Sequence, residues 1–108
     1  MGRKSTVIMP QTLRVLSQMG EQIKEARVRR GISADLVAER ASVSRATIWA
    51  IEKGSPSVAL GAYAAVLHAI NGMDTDLLFV ARDEQMEAAM FEIGHKPRNR
   101  APRKRSTL

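Results

Sequence analysis

The feature of the sequence that most constrains the fold is a pair of short, capped stretches between residues 33 and 56. Ser33 precedes ADLVAERA and Ser44 precedes RATIWAIE. Serine is a preferred N-cap residue because its hydroxyl accepts a hydrogen bond from an early helical N–H. Val43 lies just before the second cap and Ile48 lies four residues after it, which is the spacing of a hydrophobic staple. The pattern predicts two short helices joined by a tight polar turn, with the second helix ended by GSP.

Apolar residues at three- and four-residue steps predict one helix before this pair and another after it. Pro10 suits the first turn of the earlier helix and Gly31 ends it, and its inward positions are predicted to be Leu13, Leu16, Met19 or Gly20, Ile23, and Ala26 or Arg27. The later helix is predicted to begin at Ser57 or Val58, with an inner stripe of Leu60, Tyr63, Ala64, Leu67 and Ile70. The short helix over residues 34–41 is expected to turn inward Leu36, Val37 and Ala41.

The residues after Gly72 have a less definite pattern. Residues 74–81 fit either a short helix capped by Asp74 or a β-strand, because their apolar run is too short for periodicity to decide. Residues 94–108 combine two prolines with dense charge and no apolar spacing, so we expect them to be disordered.

Charge divides the chain into a basic, an acidic and a second basic part. Residues 1–56 carry ten Lys and Arg against five Asp and Glu, residues 57–93 carry one against six, and residues 94–108 carry six against none. A basic first half can face phosphate, whereas the acidic middle cannot. The basic tail is predicted to contact DNA phosphates or an acidic partner through Lys96, Arg98, Arg100, Arg103, Lys104 and Arg105.

Length and composition exclude several classes of protein. At 108 residues the chain suits one domain, and no segment approaches the roughly 18 apolar residues of a membrane span. The lack of cysteine excludes a disulfide scaffold and suits a reducing cytoplasm, which is the predicted location. The sequence contains no Gly-rich phosphate loop, no nucleophile paired with a base and no metal-ligand cluster, so we expect neither enzyme activity nor a cofactor or metal.

A short capped helix, a tight turn and a second capped helix form the helix-turn-helix pattern, in which the second helix enters the major groove of DNA. On turn spacing alone, a helical hairpin in an ordinary bundle is the better explanation. The basic first half and the arginine beside the Ser44 cap favour DNA binding, because helix N-termini attract phosphate. Ile48 and Ile51 are expected to point inward, which turns outward Ala46, Ala50 and Lys53.

The second short helix supplies the candidate DNA contacts. Arg45 is the candidate for base recognition, since arginine is the usual bidentate partner of guanine, and a phosphate contact is the alternative. Ala46 and Ala50 offer only methyl contacts to bases, so DNA shape is expected to contribute to specificity. Trp49 could contact the DNA backbone or cover the preceding helix. Backbone contacts are expected from Ser33, Ser44, Thr47, Trp49, Lys53 and Ser55.

The segment from about Met19 to Ile70 resembles the lambda-repressor-like (Xre, Cro/CI-type) helix-turn-helix domains. The resemblance rests on GEQIKEAR, RRGIS, VSRATI and IEKG. It implies a structural ion pair between Arg27 and Glu52 that ties the first helix to the end of the third. The sequence departs from the family at Ala34, where Gln is usual and supplies a phosphate contact and a brace. It departs again at Ser42, in the turn between the two short helices. The family usually has glycine there because that position has a positive φ, which strains other residues mildly.

The spacing from SPSVALGAYAAVL to the Pro/Arg-rich end is similar, more narrowly, to that of HipB-like antitoxins. That resemblance implies a homodimer joined through the segment after the fourth helix, repression of its own operon, and a HipA-type serine/threonine kinase toxin as a partner. The predicted dimer interface consists of Leu77, Leu78, Phe79 and Val80. The alternatives are a plain Xre-family repressor without a toxin, and a helical module that binds another protein and not DNA.

The sequence and the family resemblance therefore predict an all-α, five-helix, lambda-repressor-like domain with a short helix or β-strand dimerisation segment. The expected organisation is a flexible leader over residues 1–9 and a helix-turn-helix DNA-binding domain over residues 10–72. A dimerisation or partner segment over residues 73–93 and a disordered basic tail over residues 94–108 follow.

Overall fold

The computed structural model describes residues 7–83 and Ala88, and the regular secondary structure among these residues is helical, with no strand. The helices are α1 (Pro10–Arg29), α2 (Ala34–Ala41), α3 (Arg45–Glu52), α4 (Leu60–Asn71) and a 3₁₀ helix (Met73–Phe79). The all-α prediction is thus confirmed. The β-strand alternative for residues 74–81 is wrong, because the chain turns at Gly72 directly into the 3₁₀ helix. The predicted disordered tail lies outside the described residues.

The chain divides into two compact units, Met1–Leu77 and Leu78–Leu108. The first unit holds the four α-helices. The described part of the second unit is short, and in it the backbone N–H of Arg82 donates to the carbonyl of Phe79 at 3.3 Å. The guanidinium of Arg82 also lies over the Phe79 ring, 5.6 Å from its centroid.

The two predicted caps form as the sequence indicates. The Ser33 hydroxyl accepts from the N–H of Leu36 at 3.1 Å, and the Ser44 hydroxyl accepts from the N–H of Thr47 at 3.0 Å. The turn between α2 and α3 passes through Ser42, which has the positive φ of 58° expected at this position. Because the side chain disfavours that left-handed conformation, Ser42 is a mildly strained residue.

α4 begins at Leu60, two or three residues later than predicted. The delay has a local cause in the preceding turn. The Ser55 hydroxyl accepts from the N–H of Ser57 at 3.2 Å and lies 2.9 Å from the Ser57 hydroxyl. These bonds, together with Pro56, hold the chain in a turn where helix was expected.

The core lies among α1–α4, where α1 packs on α3 and α2 packs on both α3 and α4. Its buried apolar residues are Ile23, Ala26, Val37, Ala38, Ile48, Ile51, Tyr63, Val66, Leu67 and Ile70. The inward predictions for Leu13, Leu36 and Leu60 are wrong, since these side chains are 39%, 36% and 69% exposed. For Leu13 the reason is length: the 20 residues of α1 extend about 30 Å, whereas the eight of α3 extend about 12 Å.

α1 and the end of α3 approach each other through two glycines. A Cβ on Gly20 would lie 2.6 Å from the nitrogen of Gly54, 2.7 Å from the carbonyl oxygen of Ile51 and 2.8 Å from that of Glu52. Gly54 itself has a φ of +77°, and a Cβ there would collide with the backbone of Leu16. The backbones of the two helices can therefore touch only because both positions lack a side chain.

Candidate nucleic-acid interface

α3 has one buried and one exposed side. Ile48 and Ile51 are 1% and 0% exposed, so the opposite side of the helix faces solvent. That exposed side presents Arg45, Ala46, Trp49 and Lys53. Ala50 was expected to be exposed there too, but it is half-buried. The chain after α3 folds back toward it. The N–H of Ser55 donates to the Ala50 carbonyl at 2.9 Å.

The N-terminal end of α3 carries a hydroxyl pair. Ser44 and Thr47 place their hydroxyl oxygens 3.0 Å apart, and the Ser44 oxygen also accepts the N–H of Thr47. Both residues are at the surface or partly exposed. Ser33 occupies the same capping role at the start of α2. These predicted backbone contacts thus lie at helix N-termini, where N–H groups and the helix dipole favour an anion.

Arg45 has an acidic partner that the sequence did not reveal. Its Nη1 lies 2.5 Å from Oδ1 of Asp35, and the two side chains are 65% and 73% exposed. Asp35 lies in the first turn of α2, where an acidic residue is favourable. The ion pair joins the starts of the two helices of the motif. It depends on how α2 and α3 cross, so spacing along the chain could not predict it.

Arg27 and Glu52 form the pair that the family resemblance implies. Nε of Arg27 donates to Oε2 of Glu52 at 2.6 Å, and Nη2 donates to Oε1 at 3.3 Å. Nη1 donates to the carbonyl of Ile32 at 2.9 Å, so the same guanidinium also holds the turn after α1. The side chains are only 13% and 12% exposed. These two hydrogen bonds between Arg27 and Glu52 fix the position of α3 on α1. Both side chains are turned away from solvent.

Trp49 lies on the α1 side of α3 and is 67% exposed. It lines a groove of about 760 Å³ between the two helices, together with Lys24 and Val28, and the ammonium of Lys53 lies 5.1 Å from its ring centroid. A second crevice of about 440 Å³ contains Trp49, Lys24 and Ala34. Trp49 thus borders both α1 and the start of α2.

Two features of this surface were missed from the sequence. Lys24 adds a cation beside Trp49, and a signal for it existed, because Lys24 lies one turn after Gly20, at the edge of the buried face of α1. The crevice at Ala34 is open where the related domains usually carry a longer glutamine side chain.

Ser55 is engaged within the turn that follows α3. Its hydroxyl pairs with Ser57, and its carbonyl accepts a hydrogen bond of 2.6 Å from the phenol of Tyr63. Burial raises the pKa of the Tyr63 phenol above its ordinary value. The phenol is thus a neutral donor that holds the turn against α4.

The predicted interface residues differ in exposure. Leu77 is half-buried and packs against the core of the first unit. Leu78, Phe79 and Val80 are 79%, 59% and 76% exposed. The six cations of the basic tail lie outside the described residues.

A capped recognition helix held on a capped supporting helix by a three-residue turn defines the class: this is a helix-turn-helix domain, the module that places its second helix in the major groove of DNA. The helix-turn-helix domain family matches residues 18–78, and the chain belongs to that family. The chain has no significant match among curated proteins.

Two further observations concern the described residues only. None of their helices is both long enough and apolar enough to cross a bilayer. Their His, Asp and Glu side chains form no group of three or more that could hold a metal ion.

Proposed function

We propose that this protein is a transcriptional repressor that binds a two-fold symmetric operator as a homodimer. The observation that carries the proposal is the exposed side of α3, which presents a cap, an arginine and a lysine while its other side is buried against α1 and α2. A repressor of this kind acts by occupying promoter DNA, with half-sites about one helical turn apart.

Within the proposed interface, Arg45 contacts a guanine edge, and Ala46 and the half-buried Ala50 contact bases through methyl groups. Ser33, Ser44, Thr47, Trp49, Lys53 and Ser55 contact the DNA backbone. For Ser55 the backbone N–H and hydroxyl are already used in the turn, so its contribution is the weakest of the set.

The proposed dimer forms through Leu77, Leu78, Phe79 and Val80, of which Leu77 is half-buried and the other three are exposed. Three consecutive exposed apolar residues favour a contact, because such surface is stabilised when it leaves water. The surrounding residues 57–93 are net acidic, so an interface here keeps negative charge away from phosphate.

The finer assignment is a HipB-like antitoxin in the cytoplasm that represses its own operon and binds a HipA-type kinase. It rests on the sequence resemblance. A plain Xre-family repressor is the alternative, and a gene for a HipA-like kinase beside this one would decide between them. A protein-binding module without DNA affinity is the other alternative, and specific DNA binding in the experiment below would exclude it.

The test of DNA binding compares Arg45→Ala with Lys53→Ala. Duplexes are the DNA upstream of the protein's own gene and a random sequence of equal length, titrated by fluorescence anisotropy. Arg45→Ala is expected to cost about 1–3 kcal/mol on the specific duplex while largely sparing the random one. Lys53→Ala should weaken both alike, because a phosphate contact carries no sequence information.

The proposal fails at its first step if the unaltered protein binds neither duplex. If Arg45→Ala lowers both affinities by the same factor, Arg45 is a phosphate contact and the assignment of base recognition is wrong.

The homodimer is tested with Leu78→Asp, which places a charge within the proposed interface. Light scattering should then report monomers, and operator affinity should collapse because one half-site holds too few contacts. Leu60→Asp is the matched control, since Leu60 is similarly exposed, at 69%, on α4. A Leu78→Asp protein that remained dimeric would place the interface elsewhere.

The basic tail is tested by deleting residues 94–108. If the tail contacts DNA, each phosphate that it neutralises contributes about 0.9 to the slope of log affinity against log salt, so the deletion should flatten that slope. The ranking of operator variants should persist, because a charged arm does not distinguish bases. An unchanged slope, with loss of kinase binding, would assign the tail to the protein partner.

A further inference from the structure

We propose that Asp35 is a specificity-determining residue, which positions Arg45 for base recognition and weakens binding to unrelated DNA. The inference rests on the proposed function, and the observation behind it is the ion pair of 2.5 Å between Asp35 and Arg45. Both side chains are mostly exposed and neither belongs to the buried core, so the pair is expected to contribute little to holding α2 against α3.

The geometry leaves Arg45 able to contact a base while it is paired. Asp35 engages Nη1, and a guanidinium carries five N–H donors in a planar fork. The edge formed by Nη2 and Nε retains the two parallel donors that match O6 and N7 of guanine. Asp35 therefore holds one edge of the fork and leaves another available.

Positioning matters because Arg45 is otherwise a long side chain in water. An exposed arginine has many rotamers, and ordering it on binding costs free energy. Asp35 reaches it from the first turn of α2, a site anchored by the Ser33 cap and by the buried Val37. The carboxylate thus restricts the guanidinium before DNA arrives, which favours the one contact that suits this orientation.

The charge of Asp35 acts in the same direction. A carboxylate at a surface that approaches DNA repels phosphate, and it neutralises the arginine that random phosphates would otherwise attract. A cognate guanine compensates through a bidentate contact, whereas a random sequence seldom places a guanine at that position and then offers Arg45 only phosphate. Both effects increase the difference in affinity between the operator and random sequence.

The comparison with Arg27 supports this separation of roles. All three guanidinium nitrogens of Arg27 donate hydrogen bonds to Glu52 or Ile32, and its side chain is 13% exposed. Its ion pair is therefore structural. Arg45 has the same kind of partner but remains 65% exposed. An exposed pair contributes little to stability, so its effect is expected in recognition instead.

The experiment uses the full chain with two substitutions at one position. Asp35→Asn removes the charge but keeps an oxygen that can accept from Arg45, whereas Asp35→Ala removes both. The probes are an operator selected by the unaltered protein from a random duplex library and a scrambled duplex. Both variants should raise affinity for the scrambled duplex about threefold, and Asp35→Ala should lower the operator-to-scrambled ratio by about tenfold.

Two controls separate positioning from general charge. Asp76→Asn removes an exposed carboxylate from the 3₁₀ helix and should leave the ratio unchanged. In an Arg45→Ala background, Asp35→Ala should no longer change the ratio, because the residue that it positions is absent. Thermal melts of each variant establish that all of them are folded.

The outcomes distinguish this inference from the proposed function. If the unaltered protein selects no operator, the proposed function fails. If it selects one and Asp35→Ala leaves the operator-to-scrambled ratio unchanged, Asp35 does not determine specificity. The inference is also overturned if the ratio falls equally in the presence and absence of Arg45.

Discussion

Replacing Gly20 with alanine is expected to destabilise the protein, although alanine is the better helix former. In an open helical position the change would stabilise by about 1 kcal/mol. At Gly20, however, the new Cβ would lie 2.6–2.8 Å from three backbone atoms at the end of α3. Backbone atoms cannot rotate away as a side chain can. We therefore expect the overpacking to reduce the free energy of unfolding by about 3 kcal/mol. The net loss is then about 2 kcal/mol, which lowers Tm by roughly 10 °C in a domain of this size.

Gly61→Ala provides the matched control. Gly61 lies in the first turn of α4, is exposed, and has nothing within 4 Å of an added Cβ. This variant should keep or raise Tm by a few degrees, through the propensity term alone. Thermal melts followed by far-ultraviolet circular dichroism measure both. If Gly20→Ala shifted Tm upward as Gly61→Ala does, α1 and α3 would not approach as closely as the structure places them.

Four further outcomes are expected. Glu52→Gln leaves the 13%-exposed Arg27 without its countercharge and should cost about 3 kcal/mol in urea denaturation. Ser42→Gly should raise stability in the same assay by about 0.5 kcal/mol, because relief of the left-handed strain exceeds the added chain entropy. Ala34→Gln should fill the crevice beside it and raise operator affinity about fivefold, the value of one hydrogen bond, in an anisotropy titration. Tyr63, the only tyrosine, should titrate by ultraviolet absorbance above its ordinary pKa of about 10. Since the unfolded chain releases that proton first, stability should fall as the pH rises past 10.

Local signals in the sequence predicted the helix-turn-helix segment well. The caps at Ser33 and Ser44 depend on one side chain and the next turn of backbone, and both form. The inward direction of Ile48 and Ile51 follows from helical geometry, and both are buried. The positive φ of Ser42 was expected from the family resemblance, in which glycine is usual at this position of the turn.

Predictions failed where the result depended on distant contacts. Leu13 has helical spacing, but the partner helix is too short to reach it. Leu60 has the spacing of the inner stripe, but it is the first residue of α4 and is 69% exposed, because nothing in the core reaches the start of that helix. The partner of Arg45 could not be predicted, because Asp35 reaches it only through the crossing of two helices.

The position of Trp49 determines what its fluorescence can report. It is the only tryptophan in the chain, and its ring is 67% exposed in the folded protein. An indole that is already in water changes its emission little when the chain unfolds. A denaturation curve followed by tryptophan fluorescence would therefore be nearly flat. The same ring would respond to anything that stacks on it or displaces the Lys53 ammonium from its face. Tryptophan emission usually reports unfolding, but in this protein it would report binding at the exposed side of α3.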